Sequence, residues 1–334
     1  MNNRKIVITG PTGAIGMALI EKCIQEKTEV LAICHKGSRR NARIPVSPYV
    51  KVLEANLDEW DGIDHLADSR YNVFCHLAWS GTYGAGRNDM QMQIRNIQYT
   101  VSAVELAAHL GCDTFIGVGS QAEYGRVEGV LTPKTPAFPE NGYGMAKLCA
   151  GQMSRKLCAQ RGMRHIWVRV LSVYGPYDRT ETMVNSSLLK MLRGEPVYFT
   201  AGEQIWDFLY SKDAGEALWR LAAKGKDGRV YCLGSGRGVK LKDYIMEMHR
   251  LTGQRSEVHM GAIPYAQGQV MQLCADISAL REDVGFIPQY GFREGILDTI
   301  EWIKRNSDVC VSAGDIDFCI AAVSGDKVRA DSKG

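Results

Sequence analysis

Residues 9–16, T-G-P-T-G-A-I-G, form a glycine-rich loop between an apolar run, KIVIT, and a segment whose apolar residues recur at helical spacing. In a turn between a buried strand and a helix, Gly10 permits a sharp bend and Gly13 lets a ligand approach the backbone. Gly16 then allows the helix to pack closely on the strand. This context favours a dinucleotide-binding loop, with the pyrophosphate on the helix N-terminus, over a plain turn.

Strand-like and helix-like segments alternate from this loop as far as residue 175. Short apolar runs, each consistent with a strand covered on both faces, are separated by amphipathic stretches. We predict further strands at 28–35, 49–56, 71–79, 113–120 and 164–175, and helices at 17–26, 94–111 and 143–162. Repeated β-α-β order predicts an α/β fold with a doubly wound, mostly parallel sheet of the Rossmann type.

Beyond residue 175 the alternation becomes irregular. The segments there are a helix at 184–194, a strand at 196–201, a mixed stretch at 204–223, a strand at 230–236 and helices at 241–251 and within 280–305. We predict a dinucleotide-binding domain formed by 1–175 and 204–228, and a smaller interwoven C-terminal substrate-binding part formed by 176–203 and 229–305. Residues 306–334 have no clear period and are predicted to be a tail or an appended strand.

Composition excludes several classes of protein. The 334 residues contain no apolar run near the about 18 residues of a membrane span and no signal-peptide pattern, so we expect a cytoplasmic protein without a membrane partner. The 10 cysteines are scattered without metal-ligand spacing, which predicts buried free thiols and no metal site. A net charge of +3 is too small to indicate a nucleic-acid partner.

The end of the second strand bears on the choice of cofactor. An acid there would accept hydrogen bonds from the ribose hydroxyls of NAD, whereas the 2′-phosphate of NADP requires cations. The segment C-H-K-G-S-R-R-N-A-R contains no acid, and Lys36, Ser38, Arg39, Arg40 and Arg43 could surround a phosphate. NADP(H) is therefore favoured, NAD(H) is the alternative, and a solvated basic loop is the non-functional interpretation.

A tyrosine and a lysine lie four residues apart at the start of the predicted helix 143–162. Tyr143 and Lys147 share one face of that helix, and Ser120 ends the preceding strand. A tyrosine phenol titrates near pH 10, about three units above neutrality, so it needs a nearby cation to exchange a proton there. A tyrosine and a lysine at this spacing are expected about once by chance in a chain with 14 tyrosines, so the spacing alone is weak evidence of a catalytic pair. Their position after the fifth strand of a dinucleotide-binding fold strengthens that evidence.

With these segments in place, the chain resembles the extended short-chain dehydrogenase/reductases, the nucleotide-sugar epimerase, dehydratase and reductase family. The matching segments are T-G-P-T-G-A-I-G, F-C-H-L-A-W, G-S-Q-A-E-Y-G, Y-G-M-A-K, R-V-L-S-V-Y-G-P, D-F-L-Y-S-K-D and V-Y-C-L-G-S-G. The resemblance implies that Tyr143 is the general acid or base at a sugar carbon and that Lys147 binds the nicotinamide ribose and tunes Tyr143. It implies that Ser120 hydrogen-bonds the reacting oxygen, and that Asn96 supports this network or bonds its own helix backbone.

The predicted cofactor-binding residues follow from the loop, the strand ends and the resemblance together. They are Thr9, Gly10, Thr12, Gly13, Ala14, Ile15, Gly16, His35, Lys36, Ser38, Arg39, Arg40, Asn56, Leu57, Leu77, Ala78, Trp79, Asn96, Tyr143 and Lys147. Asn56 and Leu57, which end the third strand, are predicted to contact the adenine by a hydrogen bond and by packing.

The residues after Ser120 separate the chemistries within the family. Relatives that eliminate water carry an Asp-Glu pair there, and this chain has Gln121 and Ala122. Glu123, one position further, is interpreted as structural. A 4,6-dehydratase is thereby excluded, which leaves a ketoreductase or an epimerase. The basic end of strand two favours an NADPH-dependent reductase of a nucleotide-linked 4-keto sugar, with a 6-deoxy sugar preferred. An NAD-dependent 4-epimerase and a non-catalytic NADP(H) sensor are the alternatives.

The substrate-binding residues are the least constrained part of the prediction. Where many relatives have an arginine that reaches the diphosphate, this chain has Trp206. The predicted set is Ser120, Gln121, Arg179, Asn185, Arg193, Trp206 and Arg237. By resemblance, the helices at 94–111 and 143–162 are expected to form a homodimer.

Overall fold

The computed structural model describes residues 4–60 and 70–306. In chain order the strands are β1 (Lys5–Thr9), β2 (Glu29–Cys34), β3 (Val50–Glu54), β4 (Val73–His76), β5 (Thr114–Ser120), β6 (Arg164–Val170), β7 (Ser172–Tyr174), β8 (Val197–Tyr198), β9 (Ile205–Trp206), β10 (Phe208–Tyr210), β11 (Arg229–Leu233), β12 (Val239–Lys240) and β13 (Val258–His259). The α-helices are α1 (Ala14–Gln25), α2 (Met90–His109), α3 (Gly142–Gln160), α4 (Met183–Arg193), α5 (Ser211–Lys224), α6 (Leu241–Leu251), α7 (Ser278–Val284) and α8 (Phe292–Arg305). None of these helices is long and apolar enough to cross a bilayer.

Seven strands form the central sheet, in the order β11-β6-β5-β4-β1-β2-β3, and all of their pairings are parallel. The inner strands are buried along most of their length, as their continuous apolar runs predict. The strand order reverses between β1 and β4, so the carboxyl ends of these strands border a crevice where ligands of such sheets bind. The predicted doubly wound α/β fold is confirmed.

Helices cover both faces of this sheet. α1 and α5 pack so closely that a Cβ on Gly215 would lie 2.5 Å from the carbonyl carbon of Ala18. α2 and α3 pack against each other, and the buried face of α2 joins Phe74 and Phe115 of the sheet in a single apolar cluster. The two layers fix the helices that begin beside the crevice.

The residues that follow β7 build a second apolar core. It contains side chains of β7, β10 and the helices α4, α6 and α8, namely Tyr174, Val184, Leu188, Met191, Tyr210, Ile245, Met248, Ile296 and Ile300. Three small sheets accompany it, β10 with β7, β12 with β9 and β13 with β8. Since β7 and β10 are parallel neighbours, the chain segments before and after α4 are held side by side.

Several segments differ from their predicted bounds. The strand predicted at 164–175 is two strands, because the backbone N–H of Leu171 bonds the carbonyl of Leu233 and β7 then leaves the sheet to pair with β10. The strand predicted at 71–79 ends at His76, and the segment at 280–305 contains two helices. Except for Asn306, the predicted tail lies outside the described residues.

The described cysteines carry free thiols, as predicted. Cys149 is exposed, and the buried ones are Cys23, Cys34, Cys75, Cys112, Cys158, Cys232 and Cys274. Burial raises the pKa of the Cys23 thiol to about 12, so this sulfur stays protonated and packs as a small apolar group.

Glycines around the end of β5 make room for one indole ring. A Cβ on Gly117 or Gly119 of β5 would overlap the ring of Trp167 in the neighbouring strand β6, and a Cβ on Gly151 of α3 would lie 2.6 Å from it. Trp167 is only 3% exposed. The ring is therefore held between the sheet and α3, with its N–H directed at Glu123.

The Glu123 carboxylate, which has no exposed surface, is fully engaged by its neighbours. It accepts from the Trp167 indole at 3.0 Å, from the Arg169 guanidinium at 2.7 Å and from the backbone N–H of Ser120 at 2.9 Å. A buried carboxylate needs hydrogen bonds and a charged partner in place of water, and both oxygens of Glu123 have hydrogen-bond donors here. Glu123 thus fixes the strand end that carries Ser120, in agreement with its interpretation as structural.

Replacing this carboxylate should destabilise the fold far more than replacing an exposed one. We expect Glu123→Gln to lower the free energy of unfolding by about 3 kcal/mol, because it leaves the Arg169 charge buried without its partner. Urea denaturation followed by circular dichroism measures the loss. Glu140, which makes an exposed bidentate pair with Arg126 at 2.8 Å, is the matched control, and Glu140→Gln should cost less than about 1 kcal/mol. Equal losses in the two variants would contradict the structural role of Glu123.

Candidate active site

The glycine loop lies at the reversal of strand order, between β1 and α1. Gly10 has a φ of +66°, and a Cβ there would lie 2.7 Å from the backbone nitrogen of Ala78 after β4. A Cβ on Gly16 would lie 2.6 Å from the carbonyl oxygen of Pro11. Gly13, the N-cap of α1, has no atom within 4 Å of its Cβ position, and no side chain caps the helix. Open space in front of an uncapped helix N-terminus fits a pyrophosphate.

Buried polar groups join β1 to β4 beside this loop. The Thr9 hydroxyl lies 2.9 Å from Nδ1 of His76, and it also accepts from the Ala78 N–H at 3.4 Å. Burial lowers the pKa of His76 to about 3, with a further contribution from the charge of Lys147, so the ring is neutral. Leu77 and Ala78 are thereby held against the glycine loop, as their prediction as cofactor neighbours requires.

The turn after β2 carries the predicted phosphate-binding residues. Arg39 and Arg40 are exposed, and neither makes an ion pair with a described residue. The Ser38 hydroxyl caps the short 3₁₀ helix Arg39–Arg43, and the Lys36 ammonium is 3.8 Å from the Glu59 carboxylate. Arg39 and Arg40 are therefore available to an anion.

An acid approaches the same turn from β3, which the sequence did not reveal. The Glu54 carboxylate accepts from the backbone N–H of Gly37 at 2.9 Å and from the Asn41 amide at 2.8 Å. These hydrogen bonds lower the pKa of Glu54. Both oxygens help to order the turn, and the side chain remains exposed.

Asn56 and Leu57 follow β3 on the same side of the sheet. The Oδ1 atom of Asn56 is buried without a hydrogen-bond partner among the described residues. A buried amide oxygen without a donor is costly unless a ligand supplies one, as an adenine amino group would. Together with the open space at Gly13, this atom shows that the residues present fit a dinucleotide.

The structure brings Ser120, Tyr143 and Lys147 together. Asn141 caps α3 through the N–H of Gly144 at 2.9 Å, so Tyr143 and Lys147 lie in the first turns of the helix beside the end of β5. Burial raises the pKa of the Tyr143 phenol, and a hydrogen bond with Ser120 opposes this shift. The cluster therefore places a buried phenol, a hydroxyl and an ammonium at the mouth of the crevice.

The Lys147 ammonium is buried and has few partners. It donates to the carbonyl of Val118 at 2.6 Å and lies 3.7 Å from the ring centroid of Trp79. Burial lowers its pKa to about 7, although the negative charge of Glu123 acts in the opposite direction. The Trp79 ring also meets the Tyr143 ring edge-on, with centroids 6.2 Å apart.

Two amides of α2 hold the loop that follows Trp79. Oδ1 of Asn96 accepts from the N–H of Ser80 at 3.0 Å, and its Nδ2 donates to the Ser80 carbonyl at 2.8 Å. Gln93 accepts from the Trp79 indole at 2.9 Å and donates to the Gly86 carbonyl at 2.8 Å. Asn96 therefore acts through the loop backbone, and its side chain bonds Ser80 rather than its own helix backbone.

Arg87, at the far end of this loop, contacts the tyrosine of the cluster. Its guanidinium lies 4.6 Å from the ring centroid of Tyr143, and its Nη1 donates to the Thr82 carbonyl at 3.2 Å. No motif of the sequence indicated this residue. It reaches the site only because the loop folds back over the start of α3.

The predicted substrate residues are divided between a cavity and the exposed surface. A cavity of about 410 Å³ is lined by Leu171, Ser172, Val173, Tyr174, Asp178, Thr182, Met183, Val184, Gln204, Trp206, Phe208, Leu241 and Gln269. The Trp206 indole donates to the Ser172 hydroxyl at 2.8 Å, which holds the ring in the wall. Burial raises the pKa of Asp178, the charged group of this lining, to about 6.

The remaining predicted substrate residues do not line this cavity. Asn185 donates to the carbonyl of Asp178 at 3.2 Å, and its buried Oδ1 has no partner among the described residues. Arg179, Arg193 and Arg237 are exposed, and Arg193 lies 3.8 Å from Glu195. Gln121 is half-buried beside Ser120.

Comparisons with known proteins agree with this fold. The chain is 27% identical over 203 residues to the dTDP-glucose 4,6-dehydratase of Xanthomonas campestris pv. campestris, a match that spans 58% of this chain and 58% of that relative. It is 23% identical over 327 residues to the enzyme of the same name from Mycolicibacterium smegmatis, covering 90% and 94% of the two chains.

Solved structures resemble the whole chain. An epimerase of Methanothermobacter thermautotrophicus superposes with a TM-score of 0.83 at 17% identity, over 93% of this chain and 95% of that one. The UDP-glucose 4-epimerase of Thermotoga maritima gives 0.80 at 22% identity, over 91% and 99%. At such identities the likeness concerns the fold alone.

The model of one family covers most of the described chain. The model of the NAD-dependent epimerase/dehydratase family matches residues 6–234, from β1 through β11. The matched region contains the glycine loop and the Ser120, Tyr143 and Lys147 cluster. This protein therefore belongs to the NAD-dependent epimerase/dehydratase family.

Proposed function

We propose that this protein reduces a nucleotide-linked 4-keto sugar, 6-deoxy by preference, to the 4-hydroxy sugar with NADPH. The observation that carries the proposal is the cluster of Ser120, Tyr143 and Lys147 beside a loop that fits a dinucleotide. A dinucleotide with a nicotinamide ring would supply the hydride. We propose the same division of the chain that the sequence predicts. Residues 1–175 and 204–228 would bind the cofactor, and residues 176–203 and 229–305 would bind the substrate.

The side chains at the end of β5 support reduction without elimination. Removal of water needs an acid and a base at the sugar, and the two positions after Ser120 hold an amide and a methyl group. The carboxylate that follows these two positions, that of Glu123, forms a buried ion pair with Arg169 at 2.7 Å. Among these groups, the Tyr143 phenol is the one suited to move a proton.

In the proposed reaction Tyr143 donates its phenolic proton to the carbonyl oxygen of the sugar. The Ser120 hydroxyl orients that oxygen, and the Lys147 ammonium stabilises the phenolate. Trp206 would contact the substrate because it lines the cavity, and Gln121 because it follows Ser120. Asn185 is retained in the proposed set because its buried Oδ1 has no partner among the described residues and its Nδ2 bonds the carbonyl of Asp178, a residue of the cavity lining. The arginines Arg179, Arg193 and Arg237 are the proposed diphosphate partners.

Removal of the Tyr143 hydroxyl should abolish most of the activity. We expect Tyr143→Phe to lower kcat for NADPH oxidation by about 10²- to 10⁴-fold, because no other group donates the proton. The assay uses a panel of 4-keto-6-deoxy sugars linked to dTDP, CDP, GDP and UDP. Tyr198→Phe, which removes an exposed hydroxyl, is the control and should match the unaltered protein. Lack of NADPH oxidation with every sugar of the panel would refute the reductase proposal.

An NAD-dependent 4-epimerase is the second candidate. It would use the same cluster, and the approach of the Glu54 carboxylate to the turn after β2 favours it, because an acid there opposes a 2′-phosphate. Such an enzyme returns its own hydride and keeps its cofactor. Purified protein that carries NAD and interconverts sugars without added NADPH would support this candidate.

The exposed arginines of the turn provide a direct test of cofactor preference. We expect the double variant Arg39→Ala, Arg40→Ala to raise the KM for NADPH at least about tenfold, because each arginine donates charge-assisted hydrogen bonds to the 2′-phosphate. The KM for NADH should not change. Lys51→Ala removes an exposed cation of β3 and serves as the control. An unchanged ratio of the KM values for NADPH and NADH in the double variant would contradict recognition of a 2′-phosphate by these arginines, as is expected of an enzyme that uses NAD.

We also propose a homodimer formed through α2 and α3. These helices expose an apolar stripe, with Ile94 46%, Met145 49% and Met153 47% exposed, and Cys149 lies between the two methionines. Exposed apolar side chains that recur along two neighbouring helices are typical of an interface.

A charge placed on this stripe should separate the subunits. We expect Ile94→Glu with Met153→Glu to shift the particle mass from twice 37.0 kDa to 37.0 kDa in light scattering after size-exclusion chromatography. Leu297→Glu, at an apolar residue of α8 that is 41% exposed, should leave the mass unchanged. A monomeric unaltered protein would exclude this interface.

A further inference from the structure

Two cations lie close to the aromatic ring of Tyr143. The Arg87 guanidinium is 4.6 Å from the ring centroid, and the Lys147 ammonium is 5.9 Å from it. A cation near the face of an aromatic ring is attracted by the electrons of that ring. The attraction grows when the phenol loses its proton, because the negative charge spreads from the oxygen into the ring.

The loop that carries Arg87 is anchored at both ends. Gln93 of α2 donates to the carbonyls of Gly81 at 3.0 Å and Gly86 at 2.8 Å. On the other side, Oδ1 of Asn88 accepts from the N–H of Gly142, the residue before Tyr143, at 3.0 Å. Arg87 is therefore placed relative to Tyr143 by hydrogen bonds to its own loop rather than by an ion pair.

The two cations differ in the permanence of their charge. Burial lowers the pKa of Lys147 to about 7, so its ammonium loses its proton in the neutral range when no ligand is bound. A guanidinium keeps its charge throughout the range in which proteins are stable. Arg87 is thus the cation that remains near Tyr143 when Lys147 is neutral.

The remaining groups that face Tyr143 are few. Burial raises the pKa of its phenol; a hydrogen bond from Ser120 and the charge of Arg87 lower it, and the charge of Glu123 raises it. The Trp79 ring meets it edge-on and carries no charge. Of the two cations that the described residues place near this ring, Arg87 lies closer to its centroid.

We propose that Arg87 is a positioning residue for proton transfer, stabilising through the ring the tyrosinate that remains when Tyr143 has given up its proton. In the reaction the Oη–H bond of Tyr143 breaks, and an O–H bond forms on the sugar oxygen. A reduced nicotinamide dinucleotide, when bound, would supply the hydride for the sugar carbon. The electron pair of the broken O–H bond stays on Tyr143. The destination of the proton rests on the proposed function; the effect of Arg87 on Tyr143 does not.

The first experiment titrates Tyr143 directly in the ligand-free protein. Tyrosine labelled with ¹³C at Cζ reports the ionisation of each phenol by NMR, and Tyr143→Phe assigns the signal. We expect Arg87→Met to move the Tyr143 midpoint upward by about one pH unit, because a cation within about 4–6 Å favours the anionic form and its loss favours the neutral phenol. Arg87→Lys should retain most of the original midpoint. Arg95→Met, at an exposed arginine of α2, should leave it unchanged.

The second experiment measures kcat against pH with NADPH and dTDP-4-keto-6-deoxyglucose. The protonated phenol is the donor, so activity falls as pH rises through the Tyr143 midpoint. In Arg87→Met the alkaline limb should move upward by about one unit and kcat should fall about tenfold, since a shift of one unit corresponds to a factor of ten. Arg87→Lys should recover most of this loss, which a purely steric role of the arginine would not explain.

An Arg87→Met protein with an unshifted Tyr143 midpoint would overturn the inference, whatever its activity. If that variant does not fold, as judged by circular dichroism, the Tyr143 midpoints of Arg87→Gln and Arg87→Lys are compared instead. Equal midpoints in these two variants would overturn the inference. A shifted midpoint without reduction of any 4-keto sugar would refute the proposed function and leave the inference standing. Reduction of a 4-keto sugar together with an unshifted Tyr143 midpoint would refute the inference about Arg87 and leave the proposed function standing.

Discussion

The carboxylate of Glu123 lies between the sheet and α3, where solvent does not reach it, and three donors from two strands converge on it. Its energy in this position depends on all of them, since a buried charge with one donor missing is strongly destabilised. The end of β5 is therefore rigid at the point where it must present the Ser120 hydroxyl. Tyr143 and Lys147 are placed against this fixed end by the first turns of α3.

The same strand end carries the residues that bear on the proposed chemistry. Here Gln121 and Ala122 have no titratable group. The acid that follows them, Glu123, forms a buried ion pair with Arg169. In the proposed reduction, Tyr143 is then the single proton donor, and Arg87 is a cation that lies near its ring.

The glycine loop, the alternation of elements and the Tyr143 and Lys147 pair could be predicted because each depends on neighbours in the sequence. Spacing alone specifies which face of a strand or helix a residue occupies. Contacts between distant segments have no such signal. Glu54 reaches the turn after β2, Arg87 reaches Tyr143, and Trp206 bonds Ser172 only once the chain has folded.

The same distinction accounts for the errors in element bounds. The segment at 164–175 is rich in apolar residues on both sides of Leu171, so nothing in its pattern marks where the chain leaves the central sheet. The break occurs at Leu171 because the last carbonyl of β11, that of Leu233, takes its N–H, and β7 then finds a new partner. Asn96 could be placed near the site by its motif, but its actual partner, Ser80, could not.

The room that Gly117, Gly119 and Gly151 leave for the Trp167 ring ties four distant positions to one another. A larger residue at any of the glycines displaces the ring, and a smaller residue at Trp167 opens a cavity and deprives Glu123 of a donor. A single substitution is therefore expected to destabilise the protein, whether it enlarges one of the glycines or shortens Trp167. A redesign of this corner of the protein would have to change several of the four residues together, although only Gly119 adjoins a residue of the catalytic cluster.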